Sequence, residues 1–225
     1  ATLGPATDRP DQLETILHAG VDLVRVNFSH GTIEVHRRRI DTVRACVGKL
    51  GRQIGILVDL QGPKIRIAKF AEGGVVLEPG MRFAIDTEIA PTAGNQTRVG
   101  TEYPHLARDV YTEDILLLDD GRIVLQVKAV TGSRIETEVL VGGRLSDNKG
   151  INLKGGGLSA GAITSKDRQD IQYAAQLGAD YVAISFPGCA DDINEARMLL
   201  EKARAAAGII AKIERAEAVE KVEEI

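Results

Sequence analysis

Hydrophobic and polar positions along this chain change period twice. The first stretch alternates helix and strand: residues 10–18 predict a short helix, begun near Asp8 or Asp11 and stopped by Gly20, and 21–28 reads as a buried strand. Ile33, Ile40, Val43, Val47 and Leu50 then recur at helical spacing, which predicts a helix over 34–49, and 54–59 is a second buried strand. Regular alternation of this kind argues for parallel strands joined by crossover helices.

The period changes after about Arg66. From there to about Asn152 come short Val- and Ile-rich runs broken by Gly73-Gly74, Pro79-Gly80, Asp120-Gly121 and Gly142-Gly143, which are turn and hairpin signals. No long amphipathic helix is written there, so a small antiparallel β-barrel domain is expected. Helical spacing resumes over 165–177, followed by a strand over 181–185, a helix over about 191–207 and a strand over 209–213. The expected organisation is a first barrel portion over 1–66, an inserted β domain over 67–154 and a continuation of the barrel over 155–225.

The strands of the α/β part share a habit: each runs apolar and ends polar. Arg25, Asn27 and Ser29 alternate onto one side of one strand; Asp59 closes the next and leads into Gly62-Pro63-Lys64-Ile65-Arg66. Ser185 closes another, and Lys212 and Glu214 close the last, two residues apart and therefore on one side. In a (β/α)8 TIM barrel the site is assembled where strands end, so these residues would meet at one mouth. A lysine and a carboxylate together there suit an anionic phosphate with a bound metal; a salt-bridged strand end is the competing reading. The fold class expected is α/β, a partial (β/α)8 TIM barrel carrying an inserted antiparallel β barrel.

Composition narrows the function classes. The 225 residues are 44% hydrophobic and 27% charged with a net charge of −4, and aromatic residues are scarce, so the basic, aromatic-interleaved footprint of a nucleic-acid binder is missing. Arg37-Arg38-Arg39 falls on a helix and reads as a solvated face. Cys46 and Cys189 match no metal-ligand spacing and read as reduced cytosolic thiols. No apolar run reaches membrane-spanning length, so no membrane partner is expected. The start inside a motif and the end inside an amphipathic helix lead us to expect further residues on both sides, and a lone 225-residue piece that is inactive or poorly stable.

Six segments occur in a characteristic order: Thr2-Leu3-Gly4-Pro5-Ala6-Thr7, Arg25-Val26-Asn27-Phe28-Ser29-His30-Gly31, Asp59-Leu60-Gln61-Gly62-Pro63-Lys64-Ile65-Arg66, Leu118-Asp119-Asp120-Gly121, Asn148-Lys149-Gly150-Ile151-Asn152 and Ala211-Lys212-Ile213-Glu214. In that order and spacing the chain resembles pyruvate kinase over essentially its whole length. The resemblance implies phosphoryl transfer from phosphoenolpyruvate to ADP, giving pyruvate and ATP, in the cytoplasm and within a homotetramer. It implies Lys212 and Arg25 as catalytic and substrate-binding residues, with Ser185 beside the substrate. Asn27, Phe28, Ser29, His30, Arg66, Lys149 and Asp120 match nucleotide contacts. Glu214 matches a ligand of Mg2+ (or Mn2+), and Asn27, Ser29, Asp59 and the carbonyl of Leu60 match the monovalent-cation (K+) site.

Physical chemistry agrees with those roles. Phosphoryl transfer spreads negative charge over oxygens, so positioned positive charge is what the protein must supply: Arg25 as a planar fork, Lys212 as a point charge. Taken singly, Arg25 reads equally as a strand-end salt bridge, Asp120 as a turn residue and Lys149 as a solvated lysine. Lys64 stands where potassium-requiring members carry a glutamate, and a fixed ammonium there predicts activity without potassium. Lys154-Gly155-Gly156-Gly157-Leu158-Ser159 suits the hinge of a lid domain, and Gly188 departs from the family pattern with no consequence we can assign. Two rival readings are an Mg-dependent aldolase binding phosphoenolpyruvate or pyruvate on a related barrel, and a non-catalytic module built on the β insertion.

Overall fold

The computed structural model describes residues 1–63 and 65–225, so the potassium-replacing role expected of Lys64 falls outside the described residues. The chain forms two compact units, Ala1–Pro63 with Gly161–Ile225, and Lys64–Ala160. The second takes in a few residues beyond 67–154 on each side, because Ile65, Leu158 and Ala160 pack onto its core.

The first unit begins β1 (Thr2–Leu3), α1 (Pro10–His18), β2 (Leu23–Asn27), α2 (Ile33–Leu50) and β3 (Gly55–Asp59). Proline at the first turn opens α1, where the missing N–H costs nothing. Thr32 caps α2, its hydroxyl accepting from Val35 N–H at 3.5 Å, and Gly51 ends it at φ 63°.

The second unit holds β4 (Gly74–Leu77), β5 (Arg82–Asp86), β6 (Arg98–Gly100), α3 (Leu106–Asp109), β7 (Ile115–Leu118), β8 (Ile123–Thr131), β9 (Arg134–Val141), β10 (Gly143–Ser146) and β11 (Ile151–Leu153). Its main sheet runs β11-β7-β8-β9-β5-β6, with β4 and β10 forming a separate pair. The pairs are antiparallel as the turn signals predict, except that β6 returns parallel to β5 after a long connection. Leu116, Leu118, Leu125, Val127, Ile135 and Val139 alternate inward and are completely or almost completely buried, so this unit has its own core.

The first unit then resumes with α4 (Ser165–Gln176), β12 (Tyr181–Ile184), α5 (Ala190–Lys202), β13 (Gly208–Ala211) and α6 (Ala216–Glu220). Helix α5 stops short of the expected 207 because Arg204 takes a left-handed φ of 55° and Ala205 N–H turns back to Leu200 O at 3.0 Å. All neighbours in the sheet β1-β2-β3-β12-β13 are parallel. This is the partial (β/α)8 barrel that the sequence pattern predicts. Val24, Val26, Ile56, Val58, Val182 and Ile184 form its helix-facing side, buried with Ile40, Val43, Ile171, Ala174, Ile193 and Ala196. Among the described residues no helix is long and apolar enough to cross a membrane.

Candidate active site

Sheet register decides which polar residues share a face. Arg25 pairs with Leu57 and Asn27 with Asp59; Leu57 pairs with Tyr181 and Asp59 with Ala183; Ala183 pairs with Ile210. Partners in parallel strands point the same way, and alternation then carries Ser185 and Lys212 onto that face too. Arg25, Asn27, Asp59, Ser185 and Lys212 thus project from the side opposite the helices, at the C-terminal ends of their strands.

The last strand is shorter than expected. Regular pairing ends at Ala211 rather than Ile213, but Lys212 N–H still donates to Ile184 O at 3.0 Å. Lys212 and Glu214 therefore remain on one side, with Nζ 3.5 Å from Glu214 Oε1.

Asp59 is the hub. Its Oδ2 accepts from Arg25 Nε at 2.7 Å and from the same guanidinium's terminal nitrogen, and Lys212 Nζ stands 3.1 Å from Oδ1. Asp59 is 3% exposed, and the two cations offset the cost of burying its negative charge. The ammonium lies off the hydrogen-bonding direction, and among the described residues no aligned donor meets the buried Oδ1. Arg25 also reaches Thr2 Oγ1 at 3.3 Å.

Glu214 is held from a second side. Phe186 N–H donates to its Oε2 at 3.3 Å, and Phe186 sits at φ 56°, a left-handed conformation that bulky residues rarely adopt. Just before it, Ser185 is buried and donates its hydroxyl to Leu60 O at 2.6 Å. The proton of Ser185 is thus committed to a clamp between two strand ends, and one lone pair of the Leu60 carbonyl is used. Gly62 lies directly over this clamp at φ 66°, and a Cβ there would meet Ser185 Cβ at 2.8 Å. Only glycine fits that approach.

The loop after β2 is tightly tied. Asn27 Oδ1 accepts from Ser29 N–H at 2.9 Å, and Phe28 N–H donates to Asp59 O at 2.9 Å. The Phe28 ring is buried and stacks on His36, with centroids 4.5 Å apart. Phe28 can therefore offer a ligand little beyond its backbone, whereas His30 is exposed and Ser29 half-buried. Burial, and next the charge of Arg39, hold the His36 imidazole below its ordinary pKa, and its Nδ1 has no hydrogen-bond partner among the described residues.

In the second unit, Lys149 pairs with Asp119 at 2.8 Å. The sequence reading singled out the neighbouring Asp120, which is exposed at φ 57° in the turn, and missed Asp119. Two adjacent non-glycine residues with positive φ are the structural mark of that turn, and only the fold shows which of them faces Lys149. Arg66 has an exposed side chain and bridges Gly150 through its backbone.

A family model described as the pyruvate kinase barrel domain matches residues 1–225. The chain belongs to the pyruvate kinase family. It is 55% identical over 218 residues to pyruvate kinase II of Salmonella typhimurium, covering 97% of this chain and 45% of that protein. It is 51% identical to the pyruvate kinase of Haemophilus influenzae over 97% of its length, and 39% identical over 224 residues to that of Mycobacterium tuberculosis. The chain spans about half the length of the curated pyruvate kinases it matches, 45% to 47% of each.

Divalent-metal chemistry suits the donor set of this pyruvate kinase face. Among the described residues no three His, Cys, Asp or Glu side chains gather as a ligand cluster, so a metal here would depend on few protein oxygens. Glu214 offers one hard, partly exposed carboxylate oriented by the Phe186 N–H, and magnesium characteristically takes one or two carboxylates with phosphate and water completing its shell.

Proposed function

We propose that the protein to which this chain belongs transfers the phosphoryl group of phosphoenolpyruvate to ADP, yielding pyruvate and ATP in the cytoplasm. The observation that supports this most directly is the convergence of Arg25 and Lys212 on Asp59, with Glu214 beside Lys212, at the strand ends of the parallel sheet. Two cations and a metal-competent carboxylate within a few ångströms are what a migrating phosphoryl group requires.

Each residue has a distinct task in this reading. Arg25 presents a planar fork whose terminal nitrogens engage phosphoryl oxygens in two contacts at once. Lys212 supplies a compact charge against the same group, and needs no proton exchange to do so. Asp59 keeps both cations in place before substrate arrives, so little reorganisation is left for the reaction itself. Glu214 would hold Mg2+ or Mn2+, which when bound neutralises charge on the transferring phosphate. Ser185 locks the end of β12 to Leu60 and so fixes the floor on which the substrate rests.

The nucleotide contacts proposed are the loop Asn27–Phe28–Ser29–His30 together with Arg66, Lys149 and Asp120. Asn27, Ser29, Asp59 and the Leu60 carbonyl form the proposed monovalent-cation site, where the ammonium of Lys64 would stand in for K+. The test is pyruvate formation from phosphoenolpyruvate by the complete gene product with magnesium, with and without ADP. ADP-dependent pyruvate is expected; formation of pyruvate indifferent to ADP would overturn the reading and point to hydrolysis, with water as the phosphoryl acceptor.

A further inference from the structure

One turn of helix holds two of the loops around this face. Helix α4 begins with a capping box in which Thr164 Oγ1 accepts from Asp167 N–H at 3.1 Å, and Asp167 Oδ2 accepts from Thr164 N–H at 3.0 Å. The other oxygen of Asp167, fully buried, reaches the loop after β3 and accepts from Gly62 N–H at 3.1 Å. The residue immediately before it, Lys166, reaches the loop after β2 and donates to Phe28 O at 3.0 Å.

Lysine is an unfavourable choice at that position. The positive end of the helix macrodipole lies there, so a cation in the first turn is disfavoured unless something offsets it. Two groups do: the Phe28 carbonyl, and Asp170 one turn along, which is 7% exposed and in close contact with the ammonium. A lysine kept in an adverse field by two partners, one of them a main-chain carbonyl 138 positions away, has its use at that carbonyl.

Phe28 is thereby fixed at every point that can be held. Its N–H is bound to Asp59 O, its carbonyl to Lys166, and its ring to His36. The two residues that follow, Ser29 and His30, are left as the outward part of the turn. We infer that Lys166, backed by Asp170, is a positioning residue that sets the turn Phe28–His30 in its nucleotide-binding geometry. The inference rests on the proposed nucleotide role of that turn.

Lys166→Met and Lys166→Arg, made in the complete gene product, test it when KM is measured separately for ADP and phosphoenolpyruvate. A charged hydrogen bond to a carbonyl is lost in the first and kept in the second, so Lys166→Met should raise the KM for ADP about tenfold while the KM for phosphoenolpyruvate moves by less than about twofold. Lys166→Arg should restore most of the loss. Amide exchange followed by mass spectrometry should show faster exchange at Ser29 and His30 in Lys166→Met, with α4 unchanged. An unaltered KM for ADP, or equal rises for both substrates, would overturn the inference. Should Lys166→Met fail to fold, Asp170→Asn must give a smaller rise confined to ADP, and equal effects on both substrates would overturn it as well. If the unmodified protein makes no pyruvate, the proposed function falls, whereas the exchange measurement still judges the clamp.

Discussion

Lys212 and Asp59 meet across an intervening strand, with Nζ 3.1 Å from Oδ1 although β12 separates the strands that carry them. The same carboxylate binds Arg25 from the other side, so one buried acid organises two cations. Asp59→Asn should therefore lower stability by about 3 kcal/mol, the lower end of what breaking a buried ion pair costs, because both cations keep some solvent. Urea denaturation of the two proteins measures this, and a loss below about 1 kcal/mol would show that the cations find other partners.

Lys212→Ala removes the point charge and leaves Arg25 on Asp59. Turnover should fall by roughly 10²- to 10³-fold, as for loss of one preorganised electrostatic group, while phosphoenolpyruvate binding stays largely intact. Steady-state kinetics of the complete gene product, paired with a direct binding titration, separate the two effects. Unchanged turnover would remove Lys212 from the mechanism.

Gly62→Ala should be destabilising by about 1–3 kcal/mol, since the residue sits at φ 66° and a methyl group would press on Ser185 Cβ at 2.8 Å and Ser185 O at 3.1 Å. The Ser185–Leu60 clamp lies beneath it, so activity should fall along with the melting temperature. A variant as stable as the parent would mean that the loop after β3 can move aside freely.

His36 makes a pH prediction. Its folded pKa lies below the ordinary 6.5, because burial and the neighbouring positive charges of Arg39 and Lys166 disfavour the imidazolium. Above 6.5 both folded and unfolded states hold it neutral and its contribution is complete; as pH falls below 6.5 the unfolded state takes up the proton first, and stability declines until the folded pKa is passed. Asp170 works in the opposite sense and lower on the scale, its carboxyl raised above 3.8 mainly by burial, against the pull of Lys166. Replacing His36 by Phe keeps the stack on Phe28 and should lessen the fall in melting temperature as pH drops below 6.5. An equally steep curve in the variant would assign the slope to other groups.

Potassium dependence tests Lys64. Assays of the complete gene product in KCl, NaCl and tetramethylammonium chloride should give similar rates if a fixed ammonium replaces the bound cation. A large activation specific to potassium would rule out that replacement.

What was legible in the sequence was whatever depends on neighbours along the chain. The change of hydrophobic period marked two kinds of unit, and alternation along 23–27 and 55–59 separated the helix-packed side chains from Arg25, Asn27 and Asp59. Lys212 and Glu214 were placed on one side by the same rule, even though strand pairing gives out at Ala211. The helix that was expected to run to 207 failed because nothing local announced the left-handed turn at Arg204, an ordinary helix former.

The rest was decided by contacts between distant parts of the chain. Arg25 and Asp59 are 34 positions apart, Gly62 and Asp167 105, Leu60 and Ser185 125, and Phe28 and Lys166 138. Periodicity tells which face a side chain takes but not which group will stand opposite it, because that depends on the register of parallel strands and the seating of helices against them. Hence the polar strand ends were determined by the sequence alone, while the sharing of Asp59 between two cations, the commitment of the Ser185 hydroxyl and the grip of α4 on two loops were settled only when the sheet assembled. The physical reason is that buried charges and buried polar groups must each find a partner, and only the folded chain brings those partners within reach.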